Sequence, residues 1–419
     1  MLDRKFVVEN VELVKQNCAN RGVRADVDRV VELEAERKAR QTEVDQLNRQ
    51  ANELSKSIGK AADAAQREAR KEEGRQLRER TAAARVELDR AIAELEQVLR
   101  TIPNMTHTDA PVGTQPAVLF HGKTPQRTFD FQPLDHVALC EKHDLADFEA
   151  AARVTGHGFY FLKNEAVLLE LALQRYALGL LEQEGFTPMT TPDLARNEIL
   201  EGIGFMPRGP ETQIYSVEGT DLSLVATAEI TLGGMLANET IDAEELPLKI
   251  CGISHCFRTE AGAHGRATRG LFRVHQFTKV EMFAFTLPED SDVMLEQFRA
   301  IECRLFDGLG IPYRVIDTPS GDLGGPAYRK FDLEAWMPGR GDYGEVTSTS
   351  NCTDYQSRRL NIRYRVKGEK GTRFLHTLNG TAIAMSRAII AILENYQQSD
   401  GSVNIPEVLR PFVGKEWIG

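Results

Sequence analysis

At 419 residues, 42% hydrophobic and 27% charged, the chain has a soluble globular composition with room for two or three domains, not a disordered one. Its net charge of −11 excludes a protein coated with basic surface, and no apolar run approaches the ~18 residues of a membrane span. The start, MLDRKFVVENVELV, lacks a basic stretch followed by an apolar core and a small-residue cleavage site, so the protein is expected to be cytoplasmic.

From about residue 26 to 102, proline and aromatic residues vanish while Arg, Glu, Ala and Gln dominate. Apolar residues recur there at three- and four-residue spacing: Val30 and Leu33, then Val44, Leu47, Ala51, Leu54 and Ile58. The second half repeats the habit at Leu77, Ala84, Leu88, Ala91, Leu95, Val98 and Ile102. The pattern breaks at Ser57-Ile58-Gly59-Lys60, which predicts two long helices folded back as an antiparallel hairpin. A dimerising coiled coil, or helices within a bundle, is the plainer alternative. A short break between two similar seams favours self-pairing. Residues 24–102 carry 17 basic and 17 acidic side chains, so the negative charge lies elsewhere. Near the turn, residues 49–85 hold ten basic and six acidic side chains, a balance that suits a phosphate backbone but also an ordinary solvated face.

Residues 103–132, opening PNMTHTDAPVG, have little periodicity and read as a linker. From 133 to 419 the patterns mix. Helical periodicity predicts helices at 134–153, 164–184, 226–240, 290–309 and 380–397. Strands are predicted at 250–258, 271–287, 312–317 and 330–336. Successive strands without regular helical crossovers predict an α+β domain on an antiparallel sheet.

The chemistry concentrates at FRTEAGAHGRATRGLFRVHQFTKVE, residues 257–281. Two strand-like segments bracket a loop rich in glycine and charge. Arg258, at the end of the first, can fork two N–H donors onto a phosphate or carboxylate, and Arg266 and Arg269 can close over phosphates. Strand alternation places Arg273, Phe277, Lys279 and Glu281 on one face, an aromatic with cations and an acid. A salt-bridged sheet face is the competing explanation. No GxxxxGK[ST] is present, nor a GxGxxG after a strand. Six scattered cysteines with one close pair, Cys251 and Cys256, read as buried thiols in a reducing compartment, so no zinc is expected. His264, His275 and His376 read as structural or loop residues.

FRTEAG followed by RGLFRVHQFTKVE resembles motif 2 of the class II aminoacyl-tRNA synthetases, in the form of the seryl-tRNA synthetase family. GFTPMTTP (185–192) resembles motif 1, a dimer element, and TAE (227–229) resembles the serine-pocket triplet. EVTSTSNCTDYQSRRLNIRY (345–364) resembles the strand with the metal-binding glutamate, and LNGTAIAMSRAIIAILENYQ (378–397) resembles motif 3. The helical hairpin resembles the arm that this family lays against tRNA. The likeness spans the whole chain, with a tRNA-binding N-terminal domain at 1–102 and a catalytic domain at 133–419. It departs from the common pattern at Ala267, Ala382 and Ser386.

The resemblance implies roles residue by residue. Arg258, Glu345 and Arg387 are the expected catalytic residues: Arg258 for the α-phosphate and the serine carboxylate, Arg387 for the γ-phosphate. Thr259, Glu260, Val274, Phe277, Val346 and Thr347 complete the ATP site, with Glu260 at the adenine and Phe277 stacking on it. Glu345 and Ser348 are expected to hold Mg²⁺. Thr227, Ala228, Glu229, Arg258, Glu281, Asn379 and Thr381 are expected to line the serine pocket. The implied protein is a homodimer that activates L-serine with ATP and charges tRNA(Ser), with tRNA(Sec) a second candidate acceptor. Three rivals keep other sequence features in play. One is a paralogue that loads a carrier protein, against which the long arm argues. A second is another class II specificity, such as threonine or proline, against which the TAE and NGT segments and the lack of a zinc signature argue. The third is a coiled-coil interaction protein with a dead enzyme domain, against which Arg258, Glu281, Glu345 and Arg387 argue.

Overall fold

A computed structural model describes residues 1–205, 214–260 and 270–419. Its contacts divide into two compact units, Met1–Met105 and Thr106–Gly419.

The first unit is all helix: α1 (Arg4–Glu9), α2 (Val11–Asn20), α3 (Val27–Ile58) and α4 (Ala64–Thr101). Aspartates start three of the four, because a carboxylate at the N-cap accepts backbone N–H groups that the first turn cannot satisfy. Asp3 accepts from Lys5 and Phe6, Asp26 from Arg29, and Asp63 from Gln66. At 32 and 38 residues, α3 and α4 rise ~48 and ~57 Å. They pair in the expected hairpin, the chain reversing between Gly59 and Asp63. Two apolar clusters hold it. At the root, Val27, Val30, Leu33, Leu95, Leu99 and Ile102 pack with Val7, Val14 and Cys18 of the short helices. Along the arm, Val44, Leu47, Leu77, Ala84 and Leu88 form a separate seam.

The second unit is built on an eight-stranded sheet. Its strands are β1 (Ala117–His121), β2 (Thr187–Thr190), β3 (Leu248–Phe257), β4 (Gln276–Thr286), β5 (Tyr313–Asp317), β6 (Arg329–Met337), β7 (Asp342–Thr353) and β8 (His376–Ala384). The order across the sheet is β1-β5-β6-β7-β8-β4-β3-β2, antiparallel except for the last pair. Helices α5 (Glu165–Gln183), α6 (Ser291–Leu309) and α7 (Met385–Tyr396) bury their apolar sides on one face. Strand alternation shows in β4, where Val280, Met282 and Ala284 enter that core. Phe283 and Phe285, of opposite parity, enter a second cluster with the short helix Ala228–Gly234.

Three sequence expectations change here. The linker reading of 103–132 gives way at 117–121, an exposed strand that pairs with β5 at the sheet edge. Exposed throughout, that strand has no amphipathic alternation to reveal it. The helix expected at 134–153 is two, His136–Lys142 and Phe148–Thr155, with Asp144 between them at φ 52°. The helix expected over 380–397 starts at Met385, because 376–384 is the strand β8. A fully buried apolar run has no period by which to tell strand from helix.

Candidate active site

The face of the sheet away from α5 and α6 carries a pocket, which the first turn of α7 also reaches. Arg258, Glu260, Phe272, Arg273, Val274, Phe277, Lys279 and Glu281 line it from β3, β4 and their connection. Glu345–Ser348 line it from β7, and Asn379, Thr381, Ala384, Ser386 and Arg387 from β8 and α7. The parity that buries Val280 and Met282 turns Phe277, Lys279 and Glu281 toward the pocket, the grouping that alternation predicts.

Two β-bulges complete the pocket. In β7, Leu333 pairs with Thr347 and Glu334 with Glu345, leaving Val346 as an extra residue. Without the bulge, Glu345 and Ser348 would face opposite sides of the sheet; with it they share the pocket side. In β8, Glu281 pairs with Thr381 and Val280 with Ile383, leaving Ala382 extra and bringing Thr381 and Ala384 to the same side. Both extra residues are buried in the core below. Neither Ala382 nor Ser386 lies at positive φ, so glycine's freedom is not required at either position. Gly380 is different, since a Cβ there would come within 2.8 Å of Thr349 Oγ1 and 2.9 Å of Phe298 Cδ2. A side chain at 380 would push Asn379 and Thr381 out of place.

At the pocket floor Glu281, Lys279, Thr227 and Thr381 make one cluster. Lys279 Nζ is 2.5 Å from Glu281 Oε2 and donates to Thr227 Oγ1 at 2.8 Å. Thr381 donates to Glu281 Oε2 at 3.2 Å. All four residues are buried. Beside them Glu229 Oε1 accepts from Asn379 Nδ2 at 2.9 Å and from Gln356 Nε2 at 2.7 Å. Thr377 in turn holds Gln356 at 2.7 Å. Burial, then the charge of Glu281, pushes the Glu229 carboxyl up to about 7.

Glu345 sits opposite. Burial works against its charge, but Lys330, Arg387 and Arg258 together outweigh burial and hold it below the usual carboxylate range. Arg387 donates to the Glu345 carbonyl at 2.8 Å and lies 3.5 Å from its carboxylate. Phe272 supports two guanidiniums over its ring, Arg340 at 4.3 Å and Arg387 at 4.9 Å. Asp332, next to Lys330, is pushed up to about 6 by burial.

Four cations and four acids line the pocket: Arg258, Arg273, Lys279 and Arg387 against Glu229, Glu260, Glu281 and Glu345. Three pairs neutralise one another, Lys279 with Glu281, Arg273 with Glu260 at 3.7 Å, and Arg387 with Glu345. Arg258 and Glu229 have no ion-pair partner within 4 Å among the described residues. Arg258 instead reaches the Ala226 carbonyl at 3.4 Å and lies 5.3 Å over the Phe277 ring. One uncommitted cation and one uncommitted acid suit a zwitterion.

Most of the expected site residues converge here. Ala228 does not: its side chain packs in the cluster below the short helix, which Thr227 caps. Val346 and Thr347 bring backbone, since Val346 is in the core and Thr347 shares the face of Leu333. Thr259 is not among the lining residues, and Glu260 sits at φ 49°. Arg266, Ala267, Arg269 and His264 lie outside the described residues. His275 stacks on Phe159, and His376 meets Ser291 Oγ at 2.8 Å. Sequence reasoning gave no role to Lys279, although alternation placed it, and missed Lys330 and Gln356, which lack any local signal.

Residues 214–396 match the class II tRNA synthetase core domain for glycine, histidine, proline, serine and threonine, and residues 1–106 match the seryl-tRNA synthetase N-terminal domain. The fold and pocket are those of a class II aminoacyl-tRNA synthetase. A serine–tRNA ligase of Rhodopirellula baltica is 61% identical over 419 residues, covering 99% of this chain and 98% of that protein. The seryl-tRNA synthetase of Pyrococcus horikoshii, solved with ATP, superposes with a TM-score of 0.91 at 39% identity, over 100% of this chain and 99% of the other. The cytoplasmic enzyme of Naegleria fowleri, solved with AMP, gives 0.87 at 34% identity, over 100% and 98%. The chain belongs to the seryl-tRNA synthetase family.

Proposed function

We propose that this chain is a serine–tRNA ligase: it joins L-serine to ATP as seryl-adenylate, releasing pyrophosphate, and passes serine to the 3′-terminal ribose of tRNA(Ser). The observation that carries the reading is the buried cluster of Glu281, Thr381, Lys279 and Thr227 beside the uncommitted Glu229 and Arg258. Glu229 takes the α-ammonium, Arg258 the α-carboxylate, and the cluster takes the side-chain hydroxyl. Attack of the carboxylate on the α-phosphorus needs no protein base. It needs two anions brought into line and charge neutralised as it builds, which Arg258 and Arg387 supply. Phe277 and Val274 flank the adenine, with Glu260 at its edge and the backbone of Val346 and Thr347 beside the nucleotide.

Glu345 and Ser348 fit Mg²⁺. They offer an ionised carboxylate and a hydroxyl on one side of β7, the hard oxygen donors that the ion takes together with substrate phosphates. Bound there, the ion supplies charge neutralisation on the phosphates. On the acceptor side, the arm of α3 and α4, with its basic surplus toward the turn, lies along tRNA; tRNA(Sec) is a second acceptor. Val167, Leu168 and Leu171 are exposed along α5, which supports a homodimer through this element and the edge strand β2. Sedimentation tests this, with dimer expected for the parent and a monomer for Leu171→Glu. No helix among the described residues is long and apolar enough to cross a membrane, and we place the enzyme in the cytoplasm.

ATP–pyrophosphate exchange across the twenty amino acids tests the reading. Exchange with serine alone, followed by serine transfer to bulk tRNA, is expected. Exchange with another amino acid, or charged carrier protein without charged tRNA, would overturn it.

A further inference from the structure

We infer that Lys279 is a second reader of the substrate side chain, donating to the serine hydroxyl oxygen while Glu281 accepts the hydroxyl proton. The inference rests on the serine reading above and deepens it.

Lys279 is 5% exposed, and what is exposed faces the pocket. Its ammonium has three donors. One goes to Glu281 Oε2 and one to Thr227 Oγ1, and the third has no acceptor among the described residues. A buried donor without a partner costs free energy, and an ionised one costs more. Glu281 shows the complementary gap. Its Oε2 takes both Lys279 and Thr381, while its Oε1 has no protein partner among the described residues.

Thr227 is fixed by the same lysine. Its oxygen accepts from Lys279 at 2.8 Å and from the Glu229 backbone N–H at 3.3 Å. The floor thus offers one open acceptor and one open donor, joined through a single ion pair. A hydroxyl is the smallest group that satisfies both, because it donates one hydrogen and accepts on its lone pairs. Alanine fills neither, leaving a buried carboxylate oxygen and a buried ammonium hydrogen unpaired. Sites of that kind reject the lacking analogue by roughly 10⁴–10⁵. Glu281 alone would read only the hydroxyl hydrogen and would welcome a cation; Lys279 is what makes a cation unwelcome.

The substrate probe that separates the two readers is L-2,3-diaminopropionate, which carries an amino group in place of the hydroxyl. As β-ammonium it donates only, and it meets Lys279 with like charge. As neutral β-amine it donates and accepts, as serine does. ATP–pyrophosphate exchange of the parent enzyme is measured with both substrates from pH 6 to 8.5, and kcat/KM for diaminopropionate is divided by that for serine. Glu229 holds the α-ammonium of both, so its own titration cancels in the ratio, and the first proton lost from diaminopropionate belongs to its two adjacent amines as a coupled pair. The ratio is expected to rise with pH, by roughly tenfold per unit below the β-amine's pKa. A ratio that falls with pH or stays level would overturn the inference, since a pocket governed by Glu281 alone prefers the cation. In Lys279→Met, serine kcat/KM is expected to drop about 100-fold or more, while the ratio at pH 6 rises at least about tenfold. Equal loss for both substrates would assign Lys279 a purely structural part. Should that variant fail to fold, the parent's pH series decides alone. Absence of any serine exchange by the parent would instead sink the serine reading itself.

Discussion

The arm and the pocket use the same charged residue types to opposite ends. Along α3 and α4, Arg75 with Glu72 and Arg40 with Glu43 are neighbours one turn apart on exposed surface. Water screens such pairs and either partner can be lost at little cost. In the pocket, Lys279 and Glu281 are also close in sequence, but both are buried and each is the other's compensation. Removing one partner of such a pair costs about 3–5 kcal/mol, because the other is left charged and dry. The difference teaches where this chain keeps its stability and where it keeps its specificity. Beyond its root, where Glu34 is buried against Arg37, the arm depends on its apolar seam and treats charge as a coat. The pocket depends on charge placed where water cannot compete.

The largest effect that would sharpen the comparison is at Glu281. Glu281→Gln keeps the shape but removes the charge opposite Lys279 and turns one acceptor oxygen into a donor, and it should lower serine kcat/KM in exchange by about 10³-fold or more. A folded variant with near-parental exchange would place the hydroxyl reader elsewhere. Next is the pH response of Glu229. Burial and the charge of Glu281 push its carboxyl up to about 7, and it must be ionised to attract the α-ammonium. The sign follows: KM for serine should rise as pH falls below 7, about tenfold from pH 8 to pH 6, and Glu229→Gln should flatten that rise while raising KM throughout. An unchanged slope in the variant would assign the titration to another group. The smallest effect tests the arm. Leu88 is 2% exposed in the seam, and Leu88→Ala should cost about 3 kcal/mol within the first unit, seen as earlier melting of helical signal, with exchange unaltered. Loss of exchange in step with that melting would contradict the independence of the two units.

The same contrast explains how much was legible in the sequence. The arm's seam could be read because Leu77, Ala84, Leu88, Ala91 and Leu95 repeat at fixed spacing, so that local pattern and tertiary contact coincide. The face of β4 could be read for the same reason, at period two. The bulges at Val346 and Ala382 could not, since one extra residue leaves no trace in composition. They reverse parity where it matters, and Glu345 and Ser348 would have been placed on opposite faces without the resemblance to a known family. The hydrogen bonds that hold Glu229 come from Gln356 and Asn379, far along the chain and brought close only by the fold. The departures at Ala382 and Ser386 lose their weight once their backbone is seen to be ordinary.

The central claim is that the second unit carries the chemistry and the first carries the tRNA. Because the arm seam of Val44 to Leu88 is separate from the root cluster, residues 38–90 can be replaced by a short turn without opening the root. On that one variant, serine-dependent ATP–pyrophosphate exchange and charging of tRNA are measured side by side. Exchange within about threefold of the parent, with charging reduced at least about 10³-fold, is the predicted result. Charging that survives at parental efficiency, or exchange that falls with it, would contradict the division.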